Sequence, residues 1–457
     1  MEKNNKIDIF ENQPVPKALA TMAIPTIISQ LITLIYNMAD TWFIGQTNNP
    51  YMVAAASLVA TMFLMTLTIS NLFGAGGGSL VVRLLGSKQI EEAEKVASWS
   101  FVMSAGGALL FSMICLIFMD PLLHVLGASE NTIGYARQYL LIVVVLGSLP
   151  TILSSTMSHM LRNIGYSKEA SFGLGMGGIL NVILDPIFMF VLLPDGYEVV
   201  GAAVATLLSN VSALVYYICT YLKVQKDTIL KIPKRLEKIK TDSRKSVFAV
   251  GIPAAASLLL YDLTNIIINM LSASHGDLQL AAIGIVLKVE RLPINIAIGI
   301  CMGMMPLIGY NFASKNFERM KAFFKASRTV AIAIAAVCFV LYRLFASNIV
   351  GAFISDPETI VYGTEFLKAR CFAPPFMILS FHMVNFMQAV GEGKIAFYLA
   401  VIRQLCLNIP ILFILNYLFG MSGIIWTQAI ADFINVVISY LIYYKAIGKI
   451  VKIQDEG

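Results

Sequence analysis

The sequence is built around twelve long apolar segments separated by short polar stretches. They fall at residues 18–45, 53–81, 97–119, 138–158, 170–193, 200–222, 246–272, 279–309, 329–348, 361–388, 396–419 and 421–444. A helix needs about 20 residues to cross the hydrocarbon core of a bilayer, and every segment meets that length. Charged residues make up only 13% of the chain, against roughly 25% in soluble domains. A water-soluble globule and a disordered chain are therefore both excluded.

The segments predict helices, because a membrane β-barrel would show short alternating segments instead and lipid requires the backbone to satisfy its own hydrogen bonds. We expect an all-α polytopic membrane protein with twelve transmembrane helices. Most of the 33 lysines and arginines fall on one side if the N-terminus is cytoplasmic. The positive-inside rule then places both termini in the cytoplasm. We expect the chain in a bacterial or archaeal cytoplasmic membrane. The net charge of +6 reflects this orientation, and no nucleic-acid partner is expected.

The two halves of the chain repeat each other. AIPTIISQ at 23–30 matches GIPAAASL at 251–258, and NIGYSKEA at 163–170 matches AVGEGKIA at 389–396. Each half holds six predicted spans, so both enter the membrane from the same side and form parallel, pseudo-symmetric lobes. Transporters built this way bind cargo near the midplane and rock their two units. The predicted units are an N-terminal lobe at 1–222, a cytoplasmic linker at 223–245 and a C-terminal lobe at 246–457.

Signatures of enzymes are missing from the sequence. It contains no H-E-x-x-H motif and no G-x-x-x-x-G-K-[ST] motif, so neither zinc nor ATP chemistry is indicated. The G-x-G-x-x-G at Gly173, Gly175 and Gly178 lies inside an apolar helix with no strand before it, which favours close helix packing over dinucleotide binding. We expect no catalytic residues, no cofactor and no enzyme activity.

Two carboxylates lie inside predicted spans of the first half. Asp185 is roughly 13 Å from the outer end of its span and Asp40 about 9 Å from the end of its own, at 1.5 Å per residue. Asn181 lies one turn before Asp185 on the same helix face, and Thr206 descends in the next span. These oxygen donors suit a proton or Na⁺, and intramembrane acids are functional by default. The alternative is that each aspartate only braces helix packing.

The second half does not copy this pair, since Ile268 and Leu412 align with the two aspartates. Its own intramembrane charges are Asp262, Lys288, Glu290, Arg291, Lys368, Arg370, Arg403 and Asp432. Some of them must pair, because lone charges in a bilayer are costly; they line a wet cavity or brace the bundle. We therefore expect ion coupling in the first half, with no metal site beyond a possible Na⁺ at Asp40, Asn181, Asp185 and Thr206.

Two further features concern movement and cargo. Pro25 removes a hydrogen bond from the helix that carries Asp40, so we predict that it is a hinge linked to the charge of Asp40, with a static kink as the alternative. The abundance of Met and Tyr favours a deformable, amphipathic cavity. Its predicted lining residues are Tyr36, Asn37, Met62, Met157 and Asn210.

The motifs IPTIISQLITLIYNMADTWFIG, NLFGAGGGSLVVRLLG, NVILDPIF, GAAVATLLSN and MMPLIGYNFASKN resemble those of the multidrug and toxic compound extrusion (MATE) antiporters. The similarity covers nearly the whole chain and points to the DinF-like branch, close to the MepA-like exporters. It implies two six-helix lobes around a central cavity and export of amphipathic, often cationic drugs in exchange for H⁺ or Na⁺. It also implies that Asp40, Asn181, Asp185 and Thr206 form the coupling site and that helix 1 bends at Pro25.

The resemblance implies small amphipathic or cationic compounds and membrane lipids as partners, and a chain that acts as a monomer. A flippase for a lipid-linked oligosaccharide, built on the same two-lobe plan, is the alternative that the positive residues of the second half leave open. An intramembrane enzyme would need a paired catalytic constellation, which the sequence does not contain.

Overall fold

In the computed structural model, which describes residues 3–47, 49–232 and 238–455, the chain is almost entirely helical. The helices of the first half are α1 Lys3–Glu11, α2 Val15–Gly45, α3 Pro50–Gly86, α4 Ile90–Ile117, α5 Met119–Val125, α6 Ile133–Leu140, α7 Ser148–Asn163, α8 Ser167–Ile187 and α9 Glu198–Val224. Those of the second half are α10 Thr241–Ala273, α11 Asp277–Ala313, α12 Phe317–Gly351, α13 Pro357–Arg370, α14 Ala373–Val390, α15 Gly393–Val401, α16 Ile409–Phe419 and α17 Met421–Asp455. Three π-helical stretches continue α6, α8 and α15 at Leu141–Leu146, Phe188–Leu192 and Ile402–Asn408.

Ten helices in the described part of the chain are long and apolar enough to cross a membrane. An eleventh span is a pair of helices, Ile133–Leu146 and Ser148–Asn163, bent by 43°. The predicted span 361–388 is divided between α13 and α14. The break precedes Pro374 and Pro375, since a proline disfavours helical conformation at the residue before it. The twelve predicted spans thus correspond to ten single helices, one bent pair and one divided segment.

A short helix that the sequence did not predict, α1, packs beneath both halves. The Phe10 ring stacks on Tyr310 at 5.0 Å between centroids, and the Tyr310 hydroxyl donates to Glu11 Oε1 at 2.6 Å. On the other side, Lys6 Nζ lies 3.6 Å from Glu169 Oε1 in the first half. Phe10 shares a buried cluster with Tyr443 of α17, so both ends of the described chain lie at one end of the bundle, called the terminus end below.

The two halves touch each other at the terminus end. The Thr26 hydroxyl of α2 donates to the Gly299 carbonyl of α11 at 2.7 Å. Glycines bring the helix backbones together there, since a Cβ built on Gly299 would lie 2.7 Å from Ile27 Cα. A Cβ on Gly251 of α10 would meet the Leu72 carbonyl of α3 even more closely.

Towards the other end of the bundle, called the far end below, α3 is much less buried. In α3, residues 73–84 are all buried, whereas only Met52, Ala55, Val59 and Thr66 are buried between 50 and 69. The halves are therefore closed at the terminus end and part towards the far end, which leaves a space between them.

The predicted linker 223–245 is shorter in the structure, because α9 extends to Val224 and α10 already begins at Thr241. Residues 233–237 lie outside the described part. On either side of them Leu230 and Ile239 are buried in the core of the first half. The Ser243 hydroxyl donates to Glu92 Oε1 at 2.6 Å, so the described linker residues pack on the first half.

Candidate ion-coupling site

Close packing of α2 against α8 sets the register of the site. A Cβ built on Gly178 would lie 3.0 Å from Ile32 Cγ2 and 3.2 Å from Tyr36 Cδ1, and one on Gly175 would lie 3.1 Å from Ile32 Cδ1. These glycines belong to the G-x-G-x-x-G motif, and they serve helix packing as the sequence indicated. Since Tyr36 faces Gly178 and both helices run in the same direction, the next turns place Asp40 beside Asn181 and Asp185.

Hydrogen bonds join three of the four predicted site residues. The Asn181 Nδ2 amide donates to Asp185 Oδ1 at 3.3 Å and to Thr206 Oγ1 of α9 at 3.2 Å. The carboxylate of Asp40 lies near enough to Asp185 to act on it electrostatically. Three helices, α2, α8 and α9, thus bring the four side chains to one place inside the first half.

The site contains buried oxygens without a hydrogen-bond donor. Asp185 is 0% exposed, and Asp40 is partly exposed. Within the described part of the chain, Asp40 Oδ1, Asn181 Oδ1 and Asp185 Oδ2 have no hydrogen-bond partner. Buried acceptors are costly when left unsatisfied, and two neighbouring carboxylates repel each other. A bound proton or a hard cation with oxygen ligands relieves both penalties.

Two tyrosines flank the carboxylates. Tyr36 and Tyr139 both interact electrostatically with Asp40 and Asp185. Tyr139 lies in α6, and sequence reasoning missed it, because no sequence pattern links α6 to α2 or α8. Directly beyond Asp185, Pro186 is followed by the π-helical stretch Phe188–Leu192, and such distortions are frequent at functional sites.

The residues predicted to line a cargo cavity are not equivalent. Asn37 is exposed, and Tyr36, Met62 and Asn210 are partly exposed. Met157 is 0% exposed and belongs to the core cluster of the first half. Its side chain packs into the core of the first lobe. Met157 therefore does not line a cavity, and the prediction for this residue is corrected.

The second half repeats the amide hydrogen bond of the site, but it has no acid at the positions that align with Asp40 and Asp185. The Asn408 Nδ2 amide donates to Gln428 Oε1 at 3.0 Å, which mirrors the bond from Asn181 to Thr206. Nearby, Arg403 binds both oxygens of Asp432. At the positions that align with Asp40 and Asp185, Ile268 and Leu412 are buried in an apolar cluster.

Another buried ion pair braces the second half. Arg370 Nε and Nη2 donate to the two oxygens of Glu290 at 2.8 and 2.9 Å, and both side chains are nearly inaccessible. Of the charges predicted inside the second half, these four pair internally. Pro25 lies within the unbroken helix α2, next to the Thr26 contact with the other half.

Comparison with known proteins gives consistent results. The sequence profile of the MatE family matches residues 25–187 and again residues 253–414, which confirms the repeat. The multidrug export protein MepA of Staphylococcus aureus strain MRSA252 is 32% identical over 444 residues, which cover 97% of this chain and 96% of that protein. The protein of the same name from Staphylococcus haemolyticus strain JCSC1435 is 33% identical over 443 residues, with the same coverage.

The fold is also shared with a solved structure, described as the outward-facing conformation of a multidrug resistance MATE family transporter of the MOP superfamily. The two superpose with a TM-score of 0.90 at 22% identity, over 98% of this chain and 99% of the other. The family profile covers most of the chain, and the relatives match it almost from end to end. The chain therefore belongs to the MatE family of transporters.

Proposed function

We propose that this chain exports amphipathic, cationic compounds from a bacterial or archaeal cell by antiport with H⁺ or Na⁺. Its relatives carry the name multidrug export protein, and the family consists of transporters. The observation that carries the coupling part is the set of buried, unpartnered oxygens on Asp40, Asn181 and Asp185. The transporter would act as a monomer in the cytoplasmic membrane, with lipids and small drug-like compounds as its partners.

Alternating access follows from the way in which the halves meet. The moving units are the lobes 1–222 and 246–457, joined by the linker 223–245. With the termini in the cytoplasm, the closed terminus end is the cytoplasmic gate, and the structure faces outward. Contacts between glycine-lined backbones suit a gate that opens and closes as a rigid surface, because they contain few side chains that must rearrange.

In the proposed cycle, the charge of the ion-coupling site determines the side of the membrane to which the cavity opens. Cargo enters from the cytoplasm while Asp40 and Asp185 are charged, and the lobes then rock outward. A proton or Na⁺ binds the unpartnered oxygens, neutralises the site and favours cargo release. A membrane potential supplies about 2.3 kcal/mol per charge per 100 mV, and a tenfold concentration ratio corresponds to about 1.4 kcal/mol. For a cargo without net charge, one coupled ion at 100 mV and a tenfold gradient can thus support a cargo ratio of roughly several hundredfold. For a monovalent cation exchanged one for one, the potential cancels and the ratio is about tenfold.

The experiment is dye transport by purified protein in proteoliposomes, with H⁺ and Na⁺ gradients imposed separately. Export of an ethidium-like dye driven by one gradient would identify the coupling ion. Asp40→Asn keeps the side-chain size and removes the titratable charge, so we expect gradient-driven export to be lost. The matched control is Asp120→Asn, which removes only a surface ion pair with Arg137; such pairs contribute little. Gradient-driven export that survives in Asp40→Asn would rule out this coupling site.

A further inference from the structure

A polar cleft lies in the second half, between α10 and α11. It has a volume of about 210 Å³, and its polar lining consists of Tyr261, Asn265, Asn269, Lys288 and Arg291. Drug-sized ligands occupy pockets of roughly 300–1,000 Å³. The cleft is therefore too small for a whole drug and suits one end group of a larger molecule.

The two cations of the cleft lie deep in a membrane-spanning helix. Lys288 and Arg291 are roughly 17 and 21 Å along α11 from its far-end start, at 1.5 Å per residue. Both side chains are exposed, and in the described part of the chain neither forms an ion pair. In the same lobe, Arg370 and Arg403 are buried and paired. An unpaired cation at this depth is costly unless it faces water or an anion.

Helix periodicity shows which way the cleft opens. Lys288 precedes Gly299 by eleven residues, about three turns, so it lies on the face of α11 that packs against α2 at the terminus end. Asn269 follows Gly251 by eighteen residues, about five turns, and so lies on the face of α10 that packs against α3. Where the halves part, these faces line the space between the lobes rather than the lipid.

One acid lies close to the cleft. Arg291 acts electrostatically on Asp262 of α10, without a hydrogen bond or ion pair between them in the described chain. Glu290, the acid next to Arg291 in sequence, forms an ion pair with Arg370. The cleft thus keeps a net positive charge, and among the described residues Lys288 has no acidic partner. An ammonium, a guanidinium and two asparagine amides are donors that recognise a carboxylate or phosphate group.

We propose that this cleft binds the carboxylate of zwitterionic cargo, meaning compounds that carry a cationic group and a carboxylate. The proposal rests on the export function above and adds a substrate class to it. The first half offers negative charge at Asp40 and Asp185, and the second half offers positive charge at Lys288 and Arg291. A zwitterion in the space between the lobes is oriented by both, with its carboxylate in the cleft.

The test uses a dye pair that differs only in the carboxylate: rhodamine B, a zwitterion, and its ethyl ester, a plain cation. Equilibrium binding to purified protein and export from proteoliposomes are measured for both dyes. Hydrogen bonds to charged groups are the strong class, so for Lys288→Gln/Arg291→Gln we expect rhodamine B affinity to fall about ten- to hundredfold. Affinity for the ester should stay within about twofold of the original protein. Lys288→Arg/Arg291→Lys keeps both charges and should retain most of the rhodamine B affinity, and thermal melting verifies that each variant is folded.

The outcomes separate the two proposals. Export of the ester by the original protein tests the exporter function, whereas the loss specific to rhodamine B tests the cleft. Equal losses for both dyes, no loss for rhodamine B, or no binding of rhodamine B to the original protein would each overturn the cleft assignment. If the glutamine variant instead loses binding of phosphatidylglycerol and keeps that of rhodamine B, the cleft is a lipid headgroup site and the proposal is wrong.

Discussion

At the level of single residues, aspartates buried in the two lobes have opposite surroundings. Asp432 accepts bonds from Arg403 and from Gln428 Nε2, so both of its oxygens are satisfied. Asp185 is equally buried, yet its Oδ2 has no partner in the described chain. A satisfied acid contributes to folding, whereas an acid with a free oxygen is available to an ion. The same substitution should therefore have different consequences in the two lobes.

We predict that Asp432→Asn lowers stability and that Asp185→Asn lowers coupling. Breaking a buried ion pair leaves Arg403 uncompensated and costs about 3–5 kcal/mol, so the melting temperature in detergent should fall clearly. Asp185→Asn removes a charge that has no counter-ion among the described residues, so its melting temperature should stay the same or rise while ion-driven dye export is lost. A destabilised Asp185→Asn protein would mean that this acid braces the helices, as in the alternative considered from the sequence.

At the level of helices, the sequence predicts what composition and periodicity encode. The length of the apolar segments predicts the spans, and six spans in each half predict the parallel repeat. The helical rise per residue predicts that Asp40 and Asp185 lie at a similar depth. The structure added α1, because its residues are polar and their partners, such as Tyr310, lie about 300 positions away. It also corrected Met157, because an apolar residue in a span gives no sign of whether it faces a cavity or the core. The division between α13 and α14 could have been read from Pro374 and Pro375.

The helix α1 joins the halves, and we predict that it stabilises closure of the terminus end. Arg319 Nε donates to the Phe10 carbonyl at 2.7 Å, while Lys6 reaches Glu169 in the other half. Arg319→Ala should therefore increase the population that is open at this end. The measurement is a spin-label distance between cysteines at the exposed positions Lys168 and Lys321, with the exposed Cys219 and Cys406 replaced by Ser. An unchanged distance distribution would show that α1 does not stabilise closure of the terminus end.

Pro25 tests whether α2 works as a hinge. Proline lacks the N–H that would complete the helix there, and its neighbour Thr26 bonds to the other half. We predict that Pro25→Ala stiffens α2, slows export severalfold and shifts its pH profile, because bending would no longer follow the charge of Asp40. Pro253→Ala at the matching position of α10 is the control and should leave the pH profile in place. A Pro25→Ala protein with the original rate and profile would mean that α2 does not work as a hinge at this position.

At the level of the whole molecule, closure depends on the missing side chains of glycines. A Cβ on Gly299 would lie 2.7 Å from Ile27 Cα and 2.8 Å from Ile27 N, so alanine there forces two backbones apart. Within a lobe such a clash would cost stability, but between lobes it can be relieved by opening the gate. The lobe contact is thus the place where a single methyl group acts on the conformational equilibrium rather than on the fold.

We predict that Gly299→Ala shifts the protein from the state closed at the terminus end towards the open one. The spin-label distance between positions 168 and 321 should lengthen, and export should slow because the state closed at the terminus end is populated less. Gly106→Ala on α4 is the matched control, since a Cβ there has nothing within 4 Å. It carries the same gain in helix propensity, about 0.5–1 kcal/mol, without a contact between lobes. If both variants give the same distances, the equilibrium does not depend on this glycine and the gate is held by other contacts, such as the bond from Ser79 to the Gln388 carbonyl.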